Sequence, residues 1–179
     1  HRDLHSFPTR RSSDLTCSTT IPSEYAYSGR FRIEDALEGA DISVGDALLS
    51  PTRTYAPIVK EVLERYREGV HGMIHCTGGG QSKCKNFGEG LHYIKDSLFK
   101  APPLFSLLRR ESGMSGRELY QVFNMGHRME LYCAPSDAAD IMSISEKYGV
   151  EAKIIGYVQE SGTKENKVTV RDCGEEFVY

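Results

Sequence analysis

The chain has 179 residues, 39% hydrophobic and 26% charged, with a formal net charge of −3 at pH 7. Such proportions fit one soluble globular domain, and a chain of this length buries roughly 70% of the surface it exposes when unfolded, so its core needs no disulfide or metal staple. The mild acidity leaves no footprint for nucleic acid, and no run approaches the ~20 apolar residues of a bilayer-spanning helix, so neither nucleic acid nor membrane is expected as a partner. Cys17, Cys76, Cys84, Cys133 and Cys173 are odd in number, and none forms a C-x-x-C pair. That usage argues against a zinc cage or a disulfide framework and for a reducing, cytoplasmic setting, with Cys76 and Cys133 as small core residues.

Residues 1–15, HRDLHSFPTRRSSDL, have no apolar secretory core and no periodicity, and resemble translated adapter sequence. With the Ser/Thr-rich Thr16–Thr20 they are expected to be a disordered, non-native leader, which would make the chain a fragment. A domain is expected over 21–160 and a tail over 161–179. Within the domain, Ala47–Leu49 reads as an apolar strand. Tyr55, Ile58, Val59, Val62, Leu63 and Tyr66 recur at helical spacing and predict a helix from Tyr55 to Glu68, with Lys60, Glu61, Glu64 and Arg65 on its wet face. Val70–Cys76 and Leu91–Ile94 read as strands.

Pro102-Pro103 opens a helix that Gly113 closes, and Ser115-Gly116-Arg117-Glu118 is a capping-box pattern launching a helix with Leu119, Val122 and Phe123 inward. Met129–Cys133 predicts a strand, and Ser136 or Asp137 caps a helix stopped at Gly149. Ala152–Val158 predicts the last clear strand, with a short one at Val168–Val170. Interleaved strands and helices predict an α+β domain, a layered sheet covered by helices.

Three polar breaks carry the candidate chemistry. In His75-Cys76-Thr77-Gly78-Gly79-Gly80, three glycines in a row let a backbone approach a ligand closely and offer it N–H groups. Thr77 adds a hydroxyl and His75 a titratable ring. In Ser50-Pro51-Thr52-Arg53-Thr54-Tyr55, Arg53 suits phosphate or carboxylate at what reads as a strand-to-helix junction. Phe123-Asn124-Met125-Gly126-His127-Arg128 sets an amide, a glycine and two potentially cationic side chains at a break. Ligand sites in layered folds gather at such ends, so these three breaks are expected to share one hollow.

The blocks Gly45–Tyr55, His71–Gly80, Pro102–Phe105, Phe123–Gly126 and Ile155–Val158 stand in an order and at separations that resemble the C-terminal half of phosphoribosylformylglycinamidine cyclo-ligase, or aminoimidazole ribonucleotide (AIR) synthetase. The resemblance implies the AIR-synthetase C-terminal fold and an ATP-dependent ligase of purine biosynthesis. Such an enzyme phosphorylates the formyl oxygen of formylglycinamidine ribonucleotide, and ring closure then expels phosphate. It implies His75 in a catalytic role, and Thr52, Arg53, Thr77, Gly78, Gly79, Gly80, Asn124 and Gly126 against a nucleotide substrate. No metal ligand is assigned in this chain, because ATP and Mg²⁺ would be bound mainly by an N-terminal domain that is missing here. A homodimer is implied for the full-length enzyme. The chain departs from the family at Gln81–Lys85, where an acid-Asn-Ile-Pro-Arg stretch is usual, and at His127-Arg128, where Ile-Gly is common. Competing readings are a related ATP-dependent superfamily member or a non-catalytic binding module.

Overall fold

A computed structural model describes residues 30–179. The expected leader over residues 1–20 lies outside the described residues, as does the start of the segment after it. In chain order the elements are α1 (Val44–Leu49), α2 (Ala56–Tyr66), β1 (Val70–His75), a 3₁₀ helix (Gly80–Asn86), β2 (Leu91–Lys95), α3 (Pro103–Ser112), α4 (Gly116–Val122), β3 (Met129–Cys133), α5 (Ala138–Lys147), β4 (Gly156–Glu160), β5 (Lys167–Asp172) and β6 (Glu175–Val178). The fold is α+β.

Two sheets divide the work. β1 and β3 form an antiparallel ribbon. The other sheet has strand order β4-β2-β5-β6, with β2 and β5 parallel and the outer pairs antiparallel. β5 is an inner strand, and its Val168-Thr169-Val170 core is buried on both faces, which suits β-branched residues. Residues 161–179, expected as a tail, thus supply two strands of this sheet.

The ribbon's period of two sorts its side chains into two cores. Met73, Leu131 and Cys133 face the α2–α5 pair, where Ile58 and Val62 meet Ile141 and Ile144. Ile74 and Tyr132 face the larger sheet, where Tyr93, Val168 and Val170 pack with Leu119, Tyr120 and Met125. Each such side chain contributes roughly 1.5–3 kcal/mol on full burial. A third cluster holds α1 to α3 through Leu37, Val44 and Leu107.

Four local expectations are corrected. Ala47–Leu49 belongs to helix α1, because Ser43 and Asp46 form a capping box in which Ser43 Oγ accepts the Asp46 amide at 3.0 Å. Val122 does not turn inward and is 49% exposed, whereas its neighbour Tyr120 is buried. Glu61 is buried rather than wet, because α5 brings Lys147 and Tyr148 to within 2.9 Å of its carboxylate. The strand expected over Ala152–Val158 begins only at Gly156, where a side chain would strike the Ile94 carbonyl of β2. The Ser115 capping box and the left-handed Gly113 stop are present.

Candidate functional site

β1 ends at His75, and the chain turns through Thr77, Gly78 and Gly79 into the 3₁₀ helix. The three glycines serve different ends. Gly80 is buried at φ +48°, and a Cβ there would collide with the Phe123 and Tyr120 carbonyls at the end of α4. Gly79 adopts φ +92°, which the turn requires. Gly78 alone faces open space, with nothing within 4 Å of a built Cβ. The Gly78 and Gly79 amides make no hydrogen bond among the described residues. Lys83 folds back over the turn, and its Nζ donates to the His75 carbonyl at 2.9 Å and to Thr77 Oγ1 at 2.8 Å.

The asparagine break lies directly behind this turn. The Cys76 amide donates to the Arg128 carbonyl at 2.8 Å, and Asn124 Nδ2 donates to the Cys76 carbonyl at 3.3 Å. Asn124 Oδ1 accepts the Gly126 amide at 2.9 Å, closing the turn in which Met125 and Gly126 both take positive φ. Gly126 packs against Pro102, leaving no room for a Cβ. His127, read as potentially cationic, is instead 4% exposed, and its Nε2 accepts the Phe99 amide at 2.9 Å. Burial lowers its pKa, so the ring is neutral.

Beneath both segments runs a buried polar network. Gln81, fully buried, donates from Nε2 to the Asn124 carbonyl at 2.6 Å. Lys95 of β2 donates to the Gln81 carbonyl at 2.7 Å and to Glu130 of β3 at 2.6 Å. Tyr132 donates its hydroxyl to the other Glu130 oxygen at 2.5 Å. A chain of bonds therefore links both sheets to the turn and the break.

The Ser50–Tyr55 segment connects two helices, α1 and α2, rather than a strand and a helix. Arg53 Nη1 donates to the Gly149 carbonyl at 3.1 Å, beyond the end of α5, and Arg128 Nη1 donates to the Pro51 carbonyl at 3.4 Å. The Tyr55 ring meets His75 edge to face, with centroids 6.2 Å apart. The three breaks are thus joined by direct contacts. An open groove of about 1590 Å³ runs beside them, lined in part by Arg53, Tyr55, Asn124, Gly126 and Arg128. His75, Thr77, Gly78, Gly79, Gly80 and Thr52 do not line it; His75 touches its wall through Tyr55, and Thr52 is simply exposed.

The local electrostatics are cationic. Burial raises the Tyr55 hydroxyl pKa, and the charges of Arg128 and Arg53 oppose that rise. Burial also raises the thiols of Cys76 and Cys84, the former helped by the Glu130 charge, so neither is a ready nucleophile. Among the described residues no group of three or more His, Cys, Asp or Glu could hold a metal ion. Nor is any helix among them long and apolar enough to cross a membrane.

Sequence reasoning passed over Lys83, Gln81, Lys95 and Glu130. The first two stand in the stretch that departs from the family pattern, which was a usable signal. Lys95 and Glu130 have none, since a charged residue in a short strand ordinarily faces water.

Comparison with known proteins gives the same direction. Residues 23–168 match the family described as AIR synthase related protein, C-terminal domain. A phosphoribosylformylglycinamidine cyclo-ligase of Methanopyrus kandleri is 38% identical over 118 residues, covering 66% of this chain and 33% of the relative. Those of Methanothermobacter thermautotrophicus and Methanobrevibacter smithii are 38% and 33% identical, covering 73% and 83% of this chain and 37% and 42% of their own lengths. The chain therefore spans about a third to two fifths of the length of these relatives. With its match over most of its length and its α+β architecture, the chain belongs to the AIR synthase related protein, C-terminal domain family.

Proposed function

We propose that this chain is the substrate-facing C-terminal part of a cytoplasmic, homodimeric, ATP-dependent phosphoribosylformylglycinamidine cyclo-ligase, acting with an N-terminal domain that binds ATP and Mg²⁺. The observation that carries the reading is the junction of three separated segments around Tyr55, His75, Cys76 and Arg128, beside an open groove. A phosphorylated nucleotide suits that junction, because the free Gly78 and Gly79 amides and the nearby cations all favour anionic oxygen. Mg²⁺ suits it poorly: the charged side chains beside the junction, Lys83, Arg53 and Arg128, are cations that would repel it, and no carboxylate lies within 4 Å of them among the described residues.

In the reaction, ATP converts the formyl oxygen of formylglycinamidine ribonucleotide into a phosphate leaving group, and an internal nitrogen attacks the same carbon as phosphate departs. The gain from this chain is positional, since holding nucleophile and carbon in contact removes most of the entropic cost of ring closure. Arg53, Thr52, Thr77 and the glycine turn would hold the nucleotide. Asn124, pinned at its side chain and its carbonyl, would orient it. His75, exposed and packed edge to face against the Tyr55 ring, would give or take the proton.

The test is a chimera. The 179-residue chain alone should turn over no formylglycinamidine ribonucleotide with ATP and Mg²⁺. Grafted in place of the matching region of the Methanopyrus cyclo-ligase, it should restore turnover, and His75→Ala in that chimera should lower kcat with the fold intact. Turnover by the chain alone, an inert but folded chimera, or an unchanged His75→Ala rate would each refute the proposal.

A further inference from the structure

Some surface cations among the described residues are compensated by carboxylates and others are not. Arg30, Arg65, Arg109, Arg110, Lys147 and Arg171 each lie within 4 Å of a carboxylate. Arg53, Lys83 and Arg128 are among those without a carboxylate within 4 Å, and among the described residues each is held by neutral oxygens of the three breaks or their surroundings, namely the Gly149 carbonyl, the His75 carbonyl with Thr77 Oγ1, and the Pro51 carbonyl. They are also neighbours. Arg53 and Arg128 both act on the Tyr55 hydroxyl, Tyr55 packs on His75, and Lys83 is bonded to His75 and Thr77. Each retains donors, since Lys83 uses two of its three N–H bonds and each arginine one of five.

Lys83 thus spans the exposed turn, Arg128 reaches the Pro51 carbonyl two residues from Arg53, and the Tyr55 ring between these segments packs on His75; no carboxylate lies within 4 Å of any of the three cations among the described residues. Lys83 has a second role, because its two bonds span the turn and fix its shape. The backbone alongside offers two unpaired amides, at Gly78 and Gly79. Cations arranged beside free amides match the several acceptor oxygens of a phosphate better than the two of a carboxylate.

We propose that Lys83 and Arg128, together with Arg53, form a clamp that takes a phosphomonoester against the Gly78–Gly79 turn, with Lys83 also locking that turn in place. The assignment rests on the cyclo-ligase reading for the identity of the substrate but not for the chemistry of the group bound. Lys83 and Arg128 lie in the two stretches, Gln81–Lys85 and His127-Arg128, that depart from the pattern of the resemblance, whereas Arg53 lies in a block that follows it.

Calorimetric titration of the 179-residue chain with ribose 5-phosphate, and with ribose as the uncharged control, tests it. The wild-type chain should bind ribose 5-phosphate saturably, more weakly at higher salt, and show no saturable binding of ribose. Lys83→Gln and Arg128→Gln should each weaken binding by about tenfold to a hundredfold, the range for losing a charged hydrogen bond. Lys83→Arg should retain more affinity than Lys83→Gln, and Lys164→Gln, in a distant loop, should change nothing. Circular dichroism melts establish that each variant is folded. No saturable binding by the wild type, or unchanged affinity in folded Lys83→Gln or Arg128→Gln, overturns the clamp. An active chimera combined with either result would leave the cyclo-ligase reading standing without it; a clamp that binds phosphate in a chain whose chimera is inert would do the reverse.

Discussion

The Lys95–Glu130 pair lends itself to a quantitative test, because its environment is defined on every side. Both side chains are 4% exposed and their charged atoms are 2.6 Å apart. The ammonium group also donates to the Gln81 carbonyl at 2.7 Å and to Gln81 Oε1 at 3.2 Å, so each of its N–H bonds has an acceptor. Glu130→Gln keeps the shape but leaves the ammonium with neutral acceptors alone. Removing one partner of a buried pair costs about 3–5 kcal/mol, and the surviving Gln81 contacts place this variant near the lower end, about 3 kcal/mol. For a chain of this size that corresponds to a fall in Tm of roughly 6–12 °C. The Lys95→Met/Glu130→Leu double variant should lose less than the sum of its single changes by about 2 kcal/mol, since no charge is then stranded. Urea unfolding monitored by circular dichroism gives both numbers. A Glu130→Gln loss below about 1 kcal/mol, with an unchanged m-value, would refute the view that the network is a closed, dry unit.

Two further outcomes follow from single residues. Burial holds the His127 pKa below its usual value, so the unfolded chain takes up a proton near pH 6.5 that the folded chain refuses; stability should fall as pH drops below about 6.5, and His127→Gln should flatten that slope in melts recorded from pH 8 to pH 5. Gly80→Ala should destabilise by about 2 kcal/mol or more, because it combines φ +48° with carbonyls in the way, whereas Gly78→Ala should stay within about 0.5 kcal/mol of wild type; equal losses would show that the turn is not built as described.

Elements whose signals are local were legible in the sequence. The 3.6-residue recurrence from Tyr55 to Tyr66, the Ser115 capping box and the Pro102-Pro103 start each act within a few residues, and each stands where it was read. Ala47–Leu49 reads as a strand from its three apolar residues, but the capping box that sets its helix begins earlier, at Ser43. β5 gave only a faint signal, for the opposite reason. Its Val-Thr-Val core is short, and what makes it an inner strand is pairing with β2, about 75 residues earlier in the chain, together with β6. The three polar breaks were visible as breaks. That Arg128 reaches Pro51 and that Asn124 reaches Cys76 depends on tertiary structure, which no local pattern encodes.

The buried network explains why the site can be exposed and still well defined. The exposed part of the glycine turn is held by local bonds alone, since Gly78 has open space where a side chain would stand and the Gly79 carbonyl accepts from the amide and hydroxyl of Ser82. Its position is inherited from the buried Lys95 and Gln81 through the half-buried Asn124. Lys95 fixes Gln81, Gln81 fixes the Asn124 carbonyl, and the Asn124 side chain fixes the carbonyl of Cys76, at the start of the turn. Each of these bonds lies in or against the core, where an unmade bond costs roughly 1–3 kcal/mol, so the arrangement resists loosening far better than the turn could alone. Gln81 is the joint of the series because its amide donates toward the site while its carbonyl oxygens accept from the ion pair. An apolar residue there would keep the packing and uncouple the two ends, making Gln81 the place where the interior of this domain sets the geometry of its surface.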